Sequence, residues 1–386
     1  MKCNSFNFNR REFIGSAAMA AGGLTVGCAT GGRELLRRDA FSWGALLHLG
    51  NNMWDDFADD PDGWAKSAEE EKVRPNPFGP GGKRRSRYHA YVTTKEADWK
   101  RAVDRTAEDG HNLLFIDLGE AVAYPSHPEL AVAGTWPVEK FRQELARIRA
   151  LGLEPVPKLN FSACHDAWLK GYHRMLSTSK YYQVVADVIA DAIEIFDRPR
   201  LFHIGYDEEF AIAQANHFNV TVRQGDLWWH DLNYTIDQVA KRGARPVIWS
   251  DAMWTGRDEF LRRMSKVPLQ SNWYYRSDFS PKKQQWDFEF EKKGGWGETK
   301  NGAAAFLALE NGGFDQLPCC SNWAEDACAE ALVGFCKTHI DPSRLKGFCM
   351  APWNNCVNPK TPGISMPHIF NGLDLLKAAR EKHFAN

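Results

Sequence analysis

The segment LFHIGYDEEF, residues 201–210, places three consecutive carboxylates directly after an apolar run that contains a histidine. Neighbouring residues on a regular strand face opposite sides, but the chain turns where a strand ends, so Asp207 and Glu208 can reach one opening together. Two carboxylates in one cleft can act as a general acid and its partner. We therefore predict a working acid pair at Asp207 and Glu208, and a solvent-facing acid at the start of a helix for Glu209.

Other apolar runs also end in groups that bind polar ligands. Asp117, His165 and Asp251 each stand at or just beyond the end of such a run. Aromatic residues close four successive runs, at Trp249, Trp273, Tyr274, Tyr275, Trp323 and Trp353. Flat apolar rings surrounded by carboxylates and amides suit a carbohydrate, because a ring covers the apolar sugar face while polar groups bind the hydroxyls. We predict Asp117, Asp251 and these aromatic residues to bind such a substrate.

These residues meet at one edge only if the runs are strands of a parallel sheet. From residue 41 onward, a short apolar run followed by an amphipathic helix repeats eight times, which predicts a single (β/α)8 barrel with its site at the carboxyl ends of the strands. The predicted strands are 41–50, 112–120, 153–161, 200–206, 245–254, 268–276, 314–323 and 344–353. A doubly wound open sheet is the alternative, disfavoured because no glycine-rich phosphate loop follows a strand.

The predicted domain organisation is an export segment followed by one barrel. Residues 1–35 contain Arg10 and Arg11 before a mildly apolar stretch rich in alanine and glycine, which resembles a twin-arginine export signal. Thr25 to Cys28 resembles a lipoprotein cleavage box, so Cys28 is a candidate for lipidation and membrane anchoring. The barrel is predicted over residues 36–386, with long loops at 51–92 and 277–313, and the protein is expected in the periplasm or on a membrane.

Composition excludes several function classes. The formal net charge is −1, so nothing favours binding to nucleic acid. Nine cysteines are present, and no Cys-x-x-Cys spacing occurs, which argues against a zinc site and predicts that most are small buried residues. No pair of histidines stands two or four positions apart. We therefore assign no metal and no cofactor.

The motif of strand four resembles a known family. His203, Gly205, Asp207 and Glu208 are similar to the His-x-Gly-Gly-Asp-Glu signature of family 20 glycoside hydrolases, the β-N-acetylhexosaminidases, with Tyr206 in place of the second glycine. The segment KLNFSACHDAW resembles that family's third strand, on which His165 would be the active-site histidine. Lys158 stands where that segment opens with an acid in the family, and the arginine expected on strand one has no clear counterpart.

The resemblance implies a mechanism. Glu208 would be the general acid, with its proton held by a neighbouring carboxylate and apolar walls. Asp207 would orient the 2-acetamido group of the substrate, which itself attacks the anomeric carbon. His165 would tune the pair, and Tyr274 or Tyr275 would hold the acetamide carbonyl.

Three other functions remain open from the sequence. A glycosidase of other specificity would use a second carboxylate such as Asp251 or Asp117. A barrel that binds glycans without cleaving them needs only the aromatic walls. A metal-dependent barrel would use His165, Asp207, Glu208 and Asp251 as ligands.

Overall fold

The computed structural model describes residues 41–54, 88–211, 213–214, 217, 220–293, 301–353 and 366–385 of the 386-residue chain. The predicted export segment with Cys28, and most of the long loop after the first strand, lie outside the described residues. Within the described ranges, no helix combines the length and the apolar character needed to cross a bilayer.

Eight parallel strands form one sheet that closes on itself. They are β1 (Ser42–His48), β2 (Leu113–Asp117), β3 (Glu154–Lys158), β4 (Leu201–His203), β5 (Arg245–Trp249), β6 (Leu269–Ser271), β7 (Cys319–Cys320) and β8 (Gly347–Met350). The order along the sheet is β6-β5-β4-β3-β2-β1-β8-β7. Its two ends meet because the Leu317 amide donates to the Gln270 carbonyl at 2.8 Å and the Cys319 amide donates to the Asn272 carbonyl at 2.9 Å. The predicted (β/α)8 barrel is confirmed.

At least one helix follows each strand. The described α-helices are α1 (Glu96–Glu108), α2 (Val138–Ala150), α3 (Ser179–Ile195), α4 (Gly225–Ala240), α5 (Arg257–Arg263), α6 (Phe288–Lys293), α7 (Gly302–Asn311), α8 (Cys328–His339) and α9 (Met366–Phe384). In α3, Thr178 caps the first turn by accepting a hydrogen bond from the Tyr181 amide at 3.2 Å. Residues spaced by three and four positions form its buried face, namely Tyr181, Val184, Val185, Val188, Ile189 and Ala192.

Apolar residues form two buried clusters around the strands. The larger cluster fills the barrel and the space under the helices α1 to α5, and includes Phe115, Phe202 and Trp249. The smaller cluster packs β7, β8 and the start of β1 against α7, α8 and α9, and includes Trp43, Phe306 and Phe348. Together they hold the strand ends that carry the polar residues.

The structure differs from the sequence prediction in two places that bear on the site. The segment 277–313, predicted as a loop, contains α6 and α7. Helix α7 (GAAAFLALEN) is apolar on nearly every side and buries Ala303, Ala305 and Phe306, so it lacks the polar face by which a surface helix is recognised. The fourth strand ends at His203 instead of residue 206, because Gly205 and Tyr206 both adopt φ of +73°.

Candidate active site

The turn after β4, residues 205–209, is called the acid turn below. Gly205, Tyr206 and Glu208 have positive φ of 73°, 73° and 55°. A Cβ atom on Gly205 would lie 2.0 Å from Asn160 Oδ1, so only glycine fits there. Left-handed conformations in residues other than glycine carry a conformational cost, and they persist at functional sites where the surrounding contacts enforce them.

Asn160, just beyond β3, enforces this turn. Its Oδ1 accepts hydrogen bonds from the amides of Tyr206 at 3.2 Å and Ser162 at 3.0 Å. Its Nδ2 donates to Asp207 Oδ1 at 2.7 Å. One buried amide therefore shapes the backbone of the acid turn and orients the Asp207 carboxylate.

His165 lies against both members of the acid pair. Its Nε2 atom is 3.5 Å from Asp207 Oδ2 and 3.3 Å from Glu208 Oε2. Burial opposes a charge on this ring, but the Asp207 and Glu208 carboxylates act against that effect and raise the pKa of His165 well above its ordinary value of 6.5. An imidazolium next to the acid pair balances part of its negative charge.

Asp251, just beyond β5, supports the pair from the other side. Its Oδ2 accepts a hydrogen bond from the Glu208 amide at 2.9 Å, and the residue is only 1% exposed. Burial, and after it the negative charge of Asp207, raises the pKa of Asp251 well above the ordinary value of 3.8. Asp251 therefore fixes the Glu208 backbone while its carboxyl group resists ionisation.

Cys164 is a contact that the sequence analysis missed. Its buried Sγ donates to the carbonyl oxygen of Glu208 at 3.0 Å and lies 3.5 Å from that of Asp207. Burial raises the pKa of the thiol to about 11, so it keeps its proton near neutral pH. The sequence signal for this contact was the position of Cys164 directly before His165. A cysteine in an apolar segment is, however, typical of a small buried residue.

Glu209 does not face solvent, and the prediction for it was wrong. The residue is 9% exposed, and its Oε2 atom lies 2.6 Å from Arg223 Nη2. Its carboxylate also accepts hydrogen bonds from the amides of Ala163 at 3.0 Å and Arg223 at 2.8 Å. No helix begins at Glu209, and a buried arginine that lies 14 residues further along the chain, Arg223, pairs with its carboxylate.

Tyr275, Trp273, Trp249 and Trp353 contact one another at and beyond the carboxyl ends of β5, β6 and β8, and their role in binding a substrate stays a prediction. Tyr275 and Trp273 are stacked with ring centres 4.9 Å apart. Trp353 donates from Nε1 to the Tyr275 hydroxyl at 2.8 Å, and its ring centre lies 5.9 Å from that of Trp249. Burial raises the pKa of Tyr275 well above 10, and Glu208 and Asp207 add to the effect, which places this phenol near the acid pair.

Three other predicted substrate residues have different surroundings. Tyr274 points away from the mouth into the smaller core cluster, because residues on a strand alternate in direction, and its hydroxyl donates to the Asp278 carbonyl at 3.0 Å. Asp117 is 1% exposed and forms an ion pair with the fully buried Lys158 inside the barrel. Trp323 is 55% exposed at the rim, and its ring is available to solvent.

The six cysteines among the described residues match the prediction of small buried residues. Cys164, Cys319, Cys320, Cys328, Cys336 and Cys349 are all buried and unbridged. Among the described residues, the cluster that could hold a metal ion is His165, Asp207 and Glu208, with one ligand atom from each lying within 4.8 Å of the others.

Comparisons with known proteins agree with this architecture. No family model and no curated protein sequence matches the chain. Solved structures do: a structure of the pneumococcal virulence factor StrH, studied for N-glycan recognition and hydrolysis, has a TM-score of 0.55 at 12% identity, covering 90% of this chain and 86% of that chain. A β-N-acetylhexosaminidase from Bacteroides fragilis has a TM-score of 0.50 at 9% identity, covering 86% and 65% of the two chains.

A third match is a family 20 catalytic module of the pneumococcal exo-β-D-N-acetylglucosaminidase StrH, with a TM-score of 0.50 at 16% identity, covering 74% of this chain and 80% of that chain. Identities this low establish a shared fold. The chain has the barrel fold of family 20 glycoside hydrolases, and the resemblance inferred from strand four is confirmed at that level.

Proposed function

We propose that the protein is a glycoside hydrolase that removes 2-acetamido sugars by substrate-assisted, retaining hydrolysis. The observation that carries this proposal is the acid pair of Asp207 and Glu208, held against His165 at the carboxyl end of β4 and next to a cluster of aromatic rings. The proposal is also supported by solved structures with the same fold, which include a β-N-acetylhexosaminidase and an exo-β-D-N-acetylglucosaminidase module.

Glu208 is the general acid in this proposal. Its side chain is 23% exposed, the most accessible of the three groups in the cluster, so it can reach the oxygen of a glycosidic bond. It would give its proton to the leaving group as the bond to the anomeric carbon breaks, and would then remove a proton from the water that completes hydrolysis.

Asp207 and Tyr275 would hold the acetamido group that acts as the nucleophile. Asn160 fixes Asp207 through Oδ1, which leaves Oδ2 for the acetamide N–H. The Tyr275 oxygen accepts a hydrogen bond from Trp353, and its own proton can be donated to the acetamide carbonyl. Two oriented contacts would bring the carbonyl oxygen close to the anomeric carbon and lower the entropic cost of the attack.

The geometry favours substrate assistance over a second enzyme carboxylate. Asp251 is buried and accepts the Glu208 amide, and Asp117 is paired with Lys158 below the mouth. A retaining enzyme nucleophile must be free to attack the anomeric carbon, and these existing contacts disfavour both groups for that role. The substrate's own acetamido oxygen therefore fills that role.

A paired set of aryl glycosides tests the proposal. The full chain should hydrolyse an aryl N-acetyl-β-glucosaminide and leave the matching β-glucoside, which lacks the acetamido group, essentially uncleaved. A thiazoline mimic of the cyclised intermediate should inhibit competitively. Equal turnover of the two glycosides, or no turnover of any 2-acetamido sugar, would refute the assignment.

We further propose that the protein is exported by the twin-arginine route. The support is the sequence alone, namely Arg10 and Arg11 before the small apolar stretch that ends at Cys28. Replacing both arginines with lysine should keep the protein in the cytoplasm, and a Cys28→Ala variant should lose its membrane association if the cysteine is lipidated. Unchanged fractionation of both variants would contradict the proposal.

A further inference from the structure

The cluster of His165, Asp207 and Glu208 combines an imidazole nitrogen with two carboxylates. These are the donor types that zinc binds in proteins, whereas magnesium prefers six oxygen ligands, several of them from water. The three side chains are mostly buried, at 8%, 12% and 23% exposure, so they are already held in place without a bound ion. A set of ligands that is already oriented loses little conformational freedom when it binds a cation.

The separations between these atoms fit a tetrahedral ion. Zinc bonds of about 2.0–2.2 Å to nitrogen and oxygen place neighbouring ligand atoms about 3.4 Å apart in a tetrahedron. His165 Nε2 lies 3.5 Å from Asp207 Oδ2 and 3.3 Å from Glu208 Oε2. The third separation is at most 4.8 Å, and rotation of the partly exposed Glu208 carboxylate can shorten it.

A second observation favours a cation near this cluster. Asp251 is 1% exposed, and its Oδ1 accepts no hydrogen bond from the described residues. Its other oxygen accepts the Glu208 amide, so the Asp251 carboxyl group is held by a residue of the same cluster. Buried carboxylate oxygens without a partner are unfavourable, and a divalent ion in the cluster would partly compensate this one.

We propose that a divalent transition-metal ion of the zinc type binds to His165, Asp207 and Glu208 and blocks the mouth of the barrel. Binding would release the Nε2 proton of the His165 imidazolium to solvent, and a water molecule would complete the tetrahedron at the fourth position. The ion and the glycosidic oxygen would need the same Glu208 carboxylate, so zinc should compete with the substrate; this last consequence rests on the proposed function.

Equilibrium dialysis of the full chain in metal-free buffer tests the binding step directly. We expect one zinc ion per chain, with no comparable binding of magnesium. Glu208→Gln and His165→Asn should each weaken binding by at least roughly tenfold, since even loss of a group that merely hydrogen-bonds to a ligand costs that much. Circular dichroism checks that both variants fold, and Glu208→Gln, altered at the more exposed position, keeps the test valid if His165→Asn does not.

His127→Asn is the matched control. His127 also lies between two carboxylates, but it faces Glu129 with Nδ1 at 2.9 Å and Asp187 with Nε2 at 3.2 Å, so one ion cannot bind both sides of the ring. This variant should keep its zinc. Absence of stoichiometric zinc in the wild-type chain, or loss of zinc only in His127→Asn, would overturn the proposal.

Activity is measured separately from binding, so the two proposals can fail independently. A zinc-free chain that takes up zinc in dialysis but does not hydrolyse the aryl N-acetyl-β-glucosaminide would leave the metal site standing and refute the proposed function. A zinc-free chain that hydrolyses this glycoside but takes up no zinc would do the reverse.

Discussion

Glu208 and Glu209 are neighbours in sequence, and the acid turn sends their carboxylates in opposite directions. Glu208 faces His165 and the mouth of the barrel. Glu209 turns inward, where Arg223 binds both of its oxygens, and Arg223 also pairs with Asp231 at 3.1 Å. The inner carboxylate is matched by a buried guanidinium, while the outer one is left beside a second acid and a titratable ring.

This difference suggests that Glu208 and Glu209 have separate roles within the acid turn. The Glu209–Arg223 pair ties the acid turn to the amide of Ala163 and the carbonyl of Phe161, both in the segment after β3. That anchoring lets the turn keep the positive φ of Tyr206 and Glu208. We infer that Glu209 maintains the shape of the turn so that Glu208 can do chemistry, which makes the two glutamates separable by mutation.

The largest expected effect is on catalysis by Glu208→Gln. Glutamine keeps the size of the side chain but cannot give up a proton, so kcat on an aryl N-acetyl-β-glucosaminide should fall by about 10²–10⁴. The unfolding free energy should change by less than about 1 kcal/mol because the side chain is partly exposed. Steady-state kinetics with urea unfolding checks both, and wild-type turnover in this variant would remove Glu208 from the mechanism.

Glu209→Gln should give the opposite pattern. Breaking a buried ion pair leaves an uncompensated charge, and we expect a loss of about 3 kcal/mol in unfolding free energy, the lower end of the usual range because Asp231 still contacts Arg223. Asp226→Asn is the control, since Asp226 is 94% exposed in its pair with Arg263 and should cost less than about 1 kcal/mol. Equal urea midpoints for the two variants would contradict a structural role for Glu209.

The sequence predicted the barrel well because its signal is repeated. Eight apolar runs alternate with helices, and a shift of a few residues in any one of them leaves the topology unchanged. Asp207, Glu208 and His165 were predicted as one site because they follow strand ends, and the structure brings their side chains together. The direction of single side chains was harder: Tyr274 and Tyr275 look alike in sequence, and a one-residue alternation decides which one faces the mouth.

Long-range pairing explains the remaining errors. Asp117 looked like a substrate ligand, but Lys158 on the neighbouring strand takes its charge, because β2 and β3 pair with these two residues in register. Glu209 looked solvated for a similar reason, since Arg223 lies in an irregular segment that carries no periodic signal. Neither partner could be assigned before the register and the course of the loops were known.

Cys164 offers a finer test of how the acid turn is held. Cys164→Ala removes the donor to the Glu208 carbonyl, and one lost hydrogen bond of about 1 kcal/mol should lower kcat roughly fivefold with little change in KM. Cys164→Ser keeps a donor and should recover most of the rate. Equal loss in both variants would mean that the volume of the sulfur matters and its proton does not.

The smallest expected effect concerns the pH dependence that Asp251 gives to stability. Its pKa is raised in the folded chain by burial and by the charge of Asp207, so the folded state binds this proton more tightly than the unfolded state does. The contribution of the Asp251 proton to stability should therefore be fully present below pH 3.8, the ordinary pKa. It should decline as the pH rises toward the pKa of Asp251 in the folded chain. Asp251→Asn retains an oxygen for the Glu208 amide and removes the ionisation.

Urea midpoints measured between pH 4 and pH 8 should fall less steeply for Asp251→Asn than for the wild type, and the variant should be the more stable protein at the upper end of that range. Asp278→Asn is the control: the pKa of its surface-exposed parent carboxyl is lowered by the Ser280 amide, so its stabilising contribution is lost only below 3.8 and the slope between pH 4 and pH 8 should match that of the wild type. If the Asp251→Asn profile is superimposable on the wild-type profile, Asp251 is ionised in the folded chain. In that case His165 must balance the negative charge of Asp251 beside Glu208. Glu208 and Glu209 would then be more alike in their electrostatic surroundings than their contacts indicate.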